Sequence, residues 1–146
     1  MMQSEQLWQM VVRERNGILA TIDDDGRPHL SNIYYLSDPD TQVIRFSTTS
    51  DRIKGHNLLR DPRATLHISG PDFFNFAVVT GSATLYVPEH ADDAAVHALF
   101  EIHSGLGAVS LRAGFGEDML TSHRMAVWLR VERIYGQILD RPSGRT

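Results

Sequence analysis

Residues 17–48, GILATIDDDGRPHLSNIYYLSDPDTQVIRFST, hold three β-strand signals in close succession. Gly17 to Ile22 is apolar and runs into Asp23-Asp24-Asp25-Gly26, where Asp-Gly favours a tight hairpin turn. Pro28 to Leu36 is the second strand, closed by Ser37-Asp38-Pro39-Asp40. Gln42 to Thr48 is the third, with Val43, Arg45 and Ser47 on one face and Ile44, Phe46 and Thr48 on the other. Three strands joined this tightly predict an antiparallel meander.

The flanks extend the pattern. Upstream, Ser4 to Arg15 spaces Leu7, Trp8, Val11 and Val12 as an amphipathic helix, with Ser4 as its cap and Asn16-Gly17 as its stop. Downstream, a short helix is predicted from Asp51 to about Arg60, capped by Ser50 and stopped by Asp61-Pro62. Ala64 to Ser69 and Phe74 to Val87 return to strand, with a bulge at Gly81. Pro88 to His103 is helical in composition, Glu117 to His123 is a second helical piece, and Met125 to Leu139 alternates as the last strand. Six strands with these helices predict a mainly β fold, a small six-stranded antiparallel barrel, because closure removes exposed sheet edges. The 146 residues fit one domain, 1–146, with 141–146 as a flexible tail.

Composition narrows the chemistry. Lys+Arg number 14 against 18 Asp+Glu, a net charge of -4, which lacks the positive field of a non-specific nucleic-acid binder. The absence of cysteine excludes disulfides, Fe–S clusters, thiolate zinc sites and thiol nucleophiles. No apolar run approaches the roughly 18 residues of a membrane span, and residues 1–16 lack a signal peptide's apolar stretch. The expectation is a cytoplasmic protein with neither nucleic acid nor membrane as partner. Thirteen of the fourteen basic residues are Arg, and the single Lys is Lys54.

Three stretches could carry chemistry. In Phe46 to Asn57, FSTTSDRIKGHN, a strand end and a run of hydroxyls lead into a helix start bearing Arg52, Lys54 and Asn57. Helix N-terminal amides favour an anion, Arg52 can fork onto a phosphate, and Lys54 adds a compact charge. The same residues also read as an ordinary capped helix with solvated basic side chains. In His29 to Tyr35, polar Ser31 and Asn32 inside an apolar strand meet either an internal partner or a ligand; a solvated edge strand is the alternative. Phe73-Phe74-Asn75-Phe76 reads as core, as a wall against a planar ring, or as a subunit interface.

Other patterns fail on spacing. His97 and His103 lie six apart and there is no His-Glu-x-x-His, so no metal site is expected. Gly105 to Ser110 is not a dinucleotide fingerprint, Asp23 to Gly26 is not a calcium loop, and no Gly-x-Ser-x-Gly elbow is present.

In order along nearly the whole chain, GILATI (17–22), DGRP (25–28), LSN (30–32), R-x-K-x-x-N-L (52–58), RDPRA (60–64), G-x-A (81–83) and IYG (134–136) resemble the pyridoxamine-phosphate-oxidase-like split β-barrel superfamily. The similarity is greatest to its deazaflavin (coenzyme F420)-dependent reductase branch. The resemblance implies a homodimer of flavin-reductase-like split barrels with cofactor sites at the subunit interface. It implies that Arg52 and Lys54 hold the cofactor phosphate with Asn57 beside them, and that Ser47, Thr48 and Thr49 face the ribityl chain. His29, Ser31 and Asn32 would run along the tricyclic ring, with the Phe73–Phe76 segment, Phe76 included, supplied by the partner subunit.

The activity implied is an oxidoreductase transferring a hydride from reduced deazaflavin to a small conjugated organic substrate. No catalytic residue is singled out: Tyr34, Tyr35, His29 and His67 are conceivable proton donors, as is solvent. FMN is the alternative cofactor, and a non-catalytic flavin, deazaflavin or haem carrier is the alternative class. The acidic tail of F420 needs further basic residues, for which Arg13, Arg15, Arg27, Arg60, Arg63, Arg112 and Arg124 are available. Vitamin B6 oxidation is disfavoured, because the Arg-x-His motif of that enzyme is missing near the C-terminus.

Overall fold

The first hairpin forms where Asp-Gly predicts it. Strand β1 (Asn16–Ile22) pairs antiparallel with β2 (Pro28–Tyr34), setting Ile18 against Asn32 and Ala20 against Leu30. The Asp23 amide donates to Arg27 O and the Gly26 amide to Asp23 O, each at 2.8 Å. Gly26 sits at φ 86°, which only glycine adopts without strain. The structure is a computed structural model that describes residues 2–107 and 113–139; the predicted tail at 141–146 lies outside them, as does Arg112.

The meander does not form. The predicted strand 28–36 is two strands, β2 and β3 (Leu36–Asp38), separated at Tyr35. Tyr35 is fully buried; its amide donates to Arg15 O (2.9 Å) and its hydroxyl to Val11 O (2.7 Å). β3 pairs with β4 (Val43–Thr49), and β4 pairs on its other side with β7 (Arg124–Gln137). With β5 (Arg63–Ser69) and β6 (Phe76–Tyr86), the seven-stranded order is β2-β1-β5-β6-β7-β4-β3. The strand count is therefore seven where six were expected. β2 and β3 occupy opposite edges yet lie one residue apart in the chain, so the sheet curls into a half-barrel whose edges meet at Tyr35. Alternation reports which face a residue takes and not which neighbour its strand has, so the IYYL run gave no sign of the change.

The remaining elements follow the sequence with shifted ends. Helix α1 (Gln3–Arg13) buries Leu7, Trp8, Met10 and Val11 against β3, β6 and β7; Ser4 lies inside the helix and caps nothing. The bulge falls at Thr80/Gly81, where a Cβ on Gly81 would stand 1.8 Å from Arg130 O. Helix α2 (Ile53–Arg60) links β4 to β5. Helix α3 (Ala94–Gly105) starts later than predicted because the Asp93 carboxylate caps it, accepting from the Val96 amide. Helix α4 (Phe115–Thr121) follows. Leu19, Ile44, Phe46, Leu66, Ile68 and Leu129 fill the barrel, and a second cluster of Leu99, Ile102, Met119 and Ala126 seats α3 and α4 on β7. At about 1.5–3 kcal/mol for each fully buried large side chain, these two clusters hold the frame on which the site is built.

Candidate functional site

Five chain segments converge at one end of the half-barrel: the end of β2, the end of β4, the start of α2, the last turn of α3 and the start of β7. They enclose a cleft of about 270 Å³ lined by Asn32 and Tyr34, by Ser47 and Thr48, by Arg52 and Lys54, by Ile102 and His103, and by Arg124. The β4–α2 connection makes this possible. Thr49 ends the strand, the Arg52 amide donates to Thr49 O (3.2 Å), and α2 begins one residue later. Ser50 is not the cap of α2. Arg52 holds that position with an extended backbone, and among the described residues no side chain caps the first-turn amides, which leaves them free to serve an anion.

The electrostatics agree with the geometry. Arg13, Arg27, Arg45, Arg60 and Arg63 each have an acidic partner within ion-pair distance. Among the described ion pairs, none includes Arg52, Lys54 or Arg124. Partial burial, with Arg52 and Arg124 beside it, lowers the Lys54 ammonium's pKa below the usual lysine range. Burial and Arg52 lower that of Arg124, against an opposing pull from Asp51. Three cations that repel one another in a part-buried cleft make a site for a negatively charged ligand. Thr48 is 1% exposed and its Oγ1 has no hydrogen-bond partner. A buried hydroxyl without a partner costs free energy that a ligand oxygen would return.

The predicted site residues divide. Arg52, Lys54, Ser47, Thr48 and Asn32 share the cleft. Asn57 does not: it is 2% exposed, and its Nδ2 donates to Thr21 Oγ1 (3.1 Å) and Asp23 Oδ1 (2.9 Å). Its amide ties α2 to β1 and the first hairpin. Thr49 is buried and absent from the cleft lining; its Oγ1, like that of Thr48, has no hydrogen-bond partner within bonding geometry, though its nearness helps hold the Asp51 carboxyl below the ordinary range. His29 and Ser31 share the inward face of β2 with Ile33, opposite Asn32, and His29 Nδ1 and Ser31 Oγ are buried without partners. Phe76 is outside the cleft, stacked on His67 at 5.4 Å on the outer face of the sheet. Tyr35 is removed from the possible proton donors, since its hydroxyl is buried and bound to Val11 O.

Two residues of the cleft escaped sequence reasoning. From the sequence, His103 offers itself only as a metal ligand and Arg124 only as one of several spare arginines. His103 Nε2 lies 3.0 Å from Ser47 Oγ, and Arg124 Nη1 donates to the same oxygen over 3.3 Å. They stand 56 and 77 residues from Ser47, so no local spacing could have joined them.

The outer face carries a second cleft of about 360 Å³, lined by Asn16, Ile18, His67 and Ser69 and again by Asn32 and Tyr34. Register places Asn32, Ile18, His67, Val78 and Tyr135 in one row across five strands. Leu30, Tyr34, Phe73 and Phe74 beside this row are exposed by 63%, 70%, 77% and 53%. No helix among the described residues is long and apolar enough to cross a membrane.

Comparison with known proteins accords with this architecture. The chain is 33% identical over 90 residues to a pyridoxine/pyridoxamine 5'-phosphate oxidase of Pseudomonas fluorescens (strain Pf0-1), covering 62% of this chain and 40% of that protein's length. Among solved structures it is similar to an F420 reductase, at TM-score 0.67 and 19% identity, covering 94% of this chain and 99% of that one. It is also similar to a heme binding protein from Mycobacterium smegmatis, at TM-score 0.62 and 22% identity, covering 92% of this chain and 54% of that one. These structural likenesses concern the fold. The profile of the pyridoxamine 5'-phosphate oxidase family matches residues 4–137, and the chain belongs to that family.

Proposed function

We propose that this chain is an oxidoreductase that binds coenzyme F420 and passes a hydride to a small conjugated organic substrate. The observation that carries the reading is the convergence of Arg52, Lys54 and Arg124, none of them in an ion pair among the described residues, on a cleft that also holds the unpartnered Thr48 hydroxyl. In this reading Arg52 forks onto the cofactor phosphate, Lys54 adds a point charge, and the Ser47 and Thr48 hydroxyls complete the cradle. Asn32 and Tyr34, which line both clefts, flank the ring, and the outer face with its exposed Leu30 and Tyr34 receives a second copy of the chain. Bound there, the cofactor supplies the two-electron chemistry, while the chain supplies binding, orientation and electrostatics.

FMN is the second reading, and the arginines favour it. F420 carries an acidic tail beyond its phosphate, and FMN does not. Of the arginines available for such a tail, Arg13, Arg27, Arg60 and Arg63 are paired with Glu14, Asp25, Asp24 and Asp61, and Arg15 donates to Gly105 O (2.8 Å). Of those among the described residues, only Arg124 lies in the cleft. The deciding experiment is a parallel titration of the cofactor-free protein with F420 and FMN, followed by fluorescence, then a substrate screen with the reduced cofactor. Tight F420 binding with turnover supports the first reading, and a preference for FMN supports the second. Binding without turnover makes the protein a carrier, and binding of neither removes the cofactor assignment.

A further inference from the structure

One hydroxyl in the cleft takes its direction from a titratable neighbour. Arg124 Nη1 donates to Ser47 Oγ and occupies one of its two lone pairs. With no proton on His103 Nε2, the Ser47 proton points to that nitrogen and is withdrawn from the cleft. With a proton there, Nε2 donates to the second lone pair of Ser47, whose own proton turns free toward a ligand. We propose that His103 is a proton-linked positioning residue: capture of a phosphate-bearing ligand takes up a proton at His103, which turns the Ser47 hydroxyl onto that ligand. This rests on the cofactor reading above and adds to it a proton that the reading does not require.

The surroundings of the ring supply the coupling. Arg124 on β7 acts on it directly, and Arg52 and Lys54 on α2 face it across the cleft. Among the described residues the other neighbours are uncharged: Ser47 on β4, Tyr34 on β2, and the Phe115 ring of α4 edge-on at 5.8 Å. Of the nearby acids, Glu101 and Asp38 pair with Arg45, while Asp51 partly offsets the charge of Arg124 through space without forming an ion pair. Burial first, and then Arg124, hold the imidazole below its usual range, so the ligand-free ring is neutral at pH 7. An anion in the cleft offsets those cations and favours imidazolium. By linkage, affinity then weakens as pH rises, by up to roughly tenfold per pH unit between the free and bound titrations.

The test is calorimetry of FMN and F420 binding, from pH 6 to 8, in buffers of different ionisation enthalpy, with wild type and His103→Gln. Protons that belong to the ligand itself cancel between the two proteins. Wild type should take up more protons than H103Q, and its Kd should climb more steeply with pH. The imidazole resonance of His103 in wild type, titrated with and without FMN, should move to higher pKa, which covers the case of a misfolded variant. Equal proton numbers, or an unmoved imidazole titration, would overturn the proposal while leaving the cofactor reading intact. That is also the result if a neutral Nε2–H tautomer frees Ser47 without proton uptake. Failure of wild type to bind either probe removes both readings.

Discussion

Lys54 is the only lysine in the chain, and it sits half-buried between Arg52 and Arg124 with no ion-pair partner among the described residues. Replacing it by Ala should relieve repulsion in the free protein and remove a charge-assisted contact from the complex. Lys54→Ala is therefore expected to weaken F420 or FMN binding at least tenfold, about 1.5–3 kcal/mol, with thermal stability unchanged or raised. Unchanged affinity in a fluorescence titration would refute the phosphate assignment. Thr48 makes a cleaner probe, because its buried Oγ1 has no partner until a ligand arrives. Thr48→Val keeps the shape and should raise the ligand-free Tm, by up to about 1 kcal/mol of stability, while weakening cofactor binding. A lower Tm with unaltered binding would mean that the hydroxyl serves the fold. Chemistry alone leaves Arg52 and Lys54 open between a phosphate site and solvated helix residues, and the family resemblance supplies the phosphate role. Asn57 is equally open on chemistry, since an amide turned inward and one turned to a ligand have the same spacing.

At the scale of elements, α2 sets the site by how closely it lies on the end of β4. A Cβ on Gly55 would stand 2.2 Å from Thr49 O, a backbone atom that cannot swing aside. Gly55→Ala must therefore push α2 outward, at a cost of about 1–3 kcal/mol, and carry Lys54 with it. Tm and cofactor affinity should fall together; a loss of stability with affinity intact would show that α2 is not what positions the cleft. The far end of α2 is pinned by Asp61, which accepts from the Arg63 amide (3.1 Å), Nε (3.1 Å) and Nη2 (2.8 Å). These bonds lower its carboxyl pKa to about 2. A depressed folded pKa contributes stability above the unfolded value of about 3.9 and loses it as pH falls toward 2. Asp61→Asn should thus unfold with less pH dependence between about pH 4 and 2 than wild type, read by acid titration of the circular dichroism.

The whole molecule presents one mixed outer face across β2, β1, β5, β6 and β7, where Asn32 and His67 share a row with Ile18, Val78 and Tyr135. Large apolar side chains, Leu30, Tyr34, Phe73 and Phe74, are exposed on or beside it. A patch of this kind on a single chain marks an association surface. Light scattering at micromolar concentration is expected to give twice the 16.4 kDa chain mass with or without cofactor. A monomer mass would reject the interface and, with it, the placing of Phe76 against a second copy's cofactor. Leu30→Glu with Tyr34→Glu should dissociate the dimer, since paired carboxylates on facing copies repel and lose water on burial.

Strand alternation, turn residues and breakers specified the element types, the 23–26 turn and the Gly81 bulge, because each of these depends on side chains within a few positions of one another. The basic cluster at 52–54 was legible for the same reason, as it occupies a single turn. Which strands became neighbours was settled only in three dimensions. Burial of Tyr35 under α1, with its amide on Arg15 O and its hydroxyl on Val11 O, split one predicted strand into two and sent the halves to opposite edges. The same closure brought His103 and Arg124 to Ser47 across 56 and 77 residues. Local periodicity contains no term for such contacts; they follow from how the curled sheet and its helices share one core.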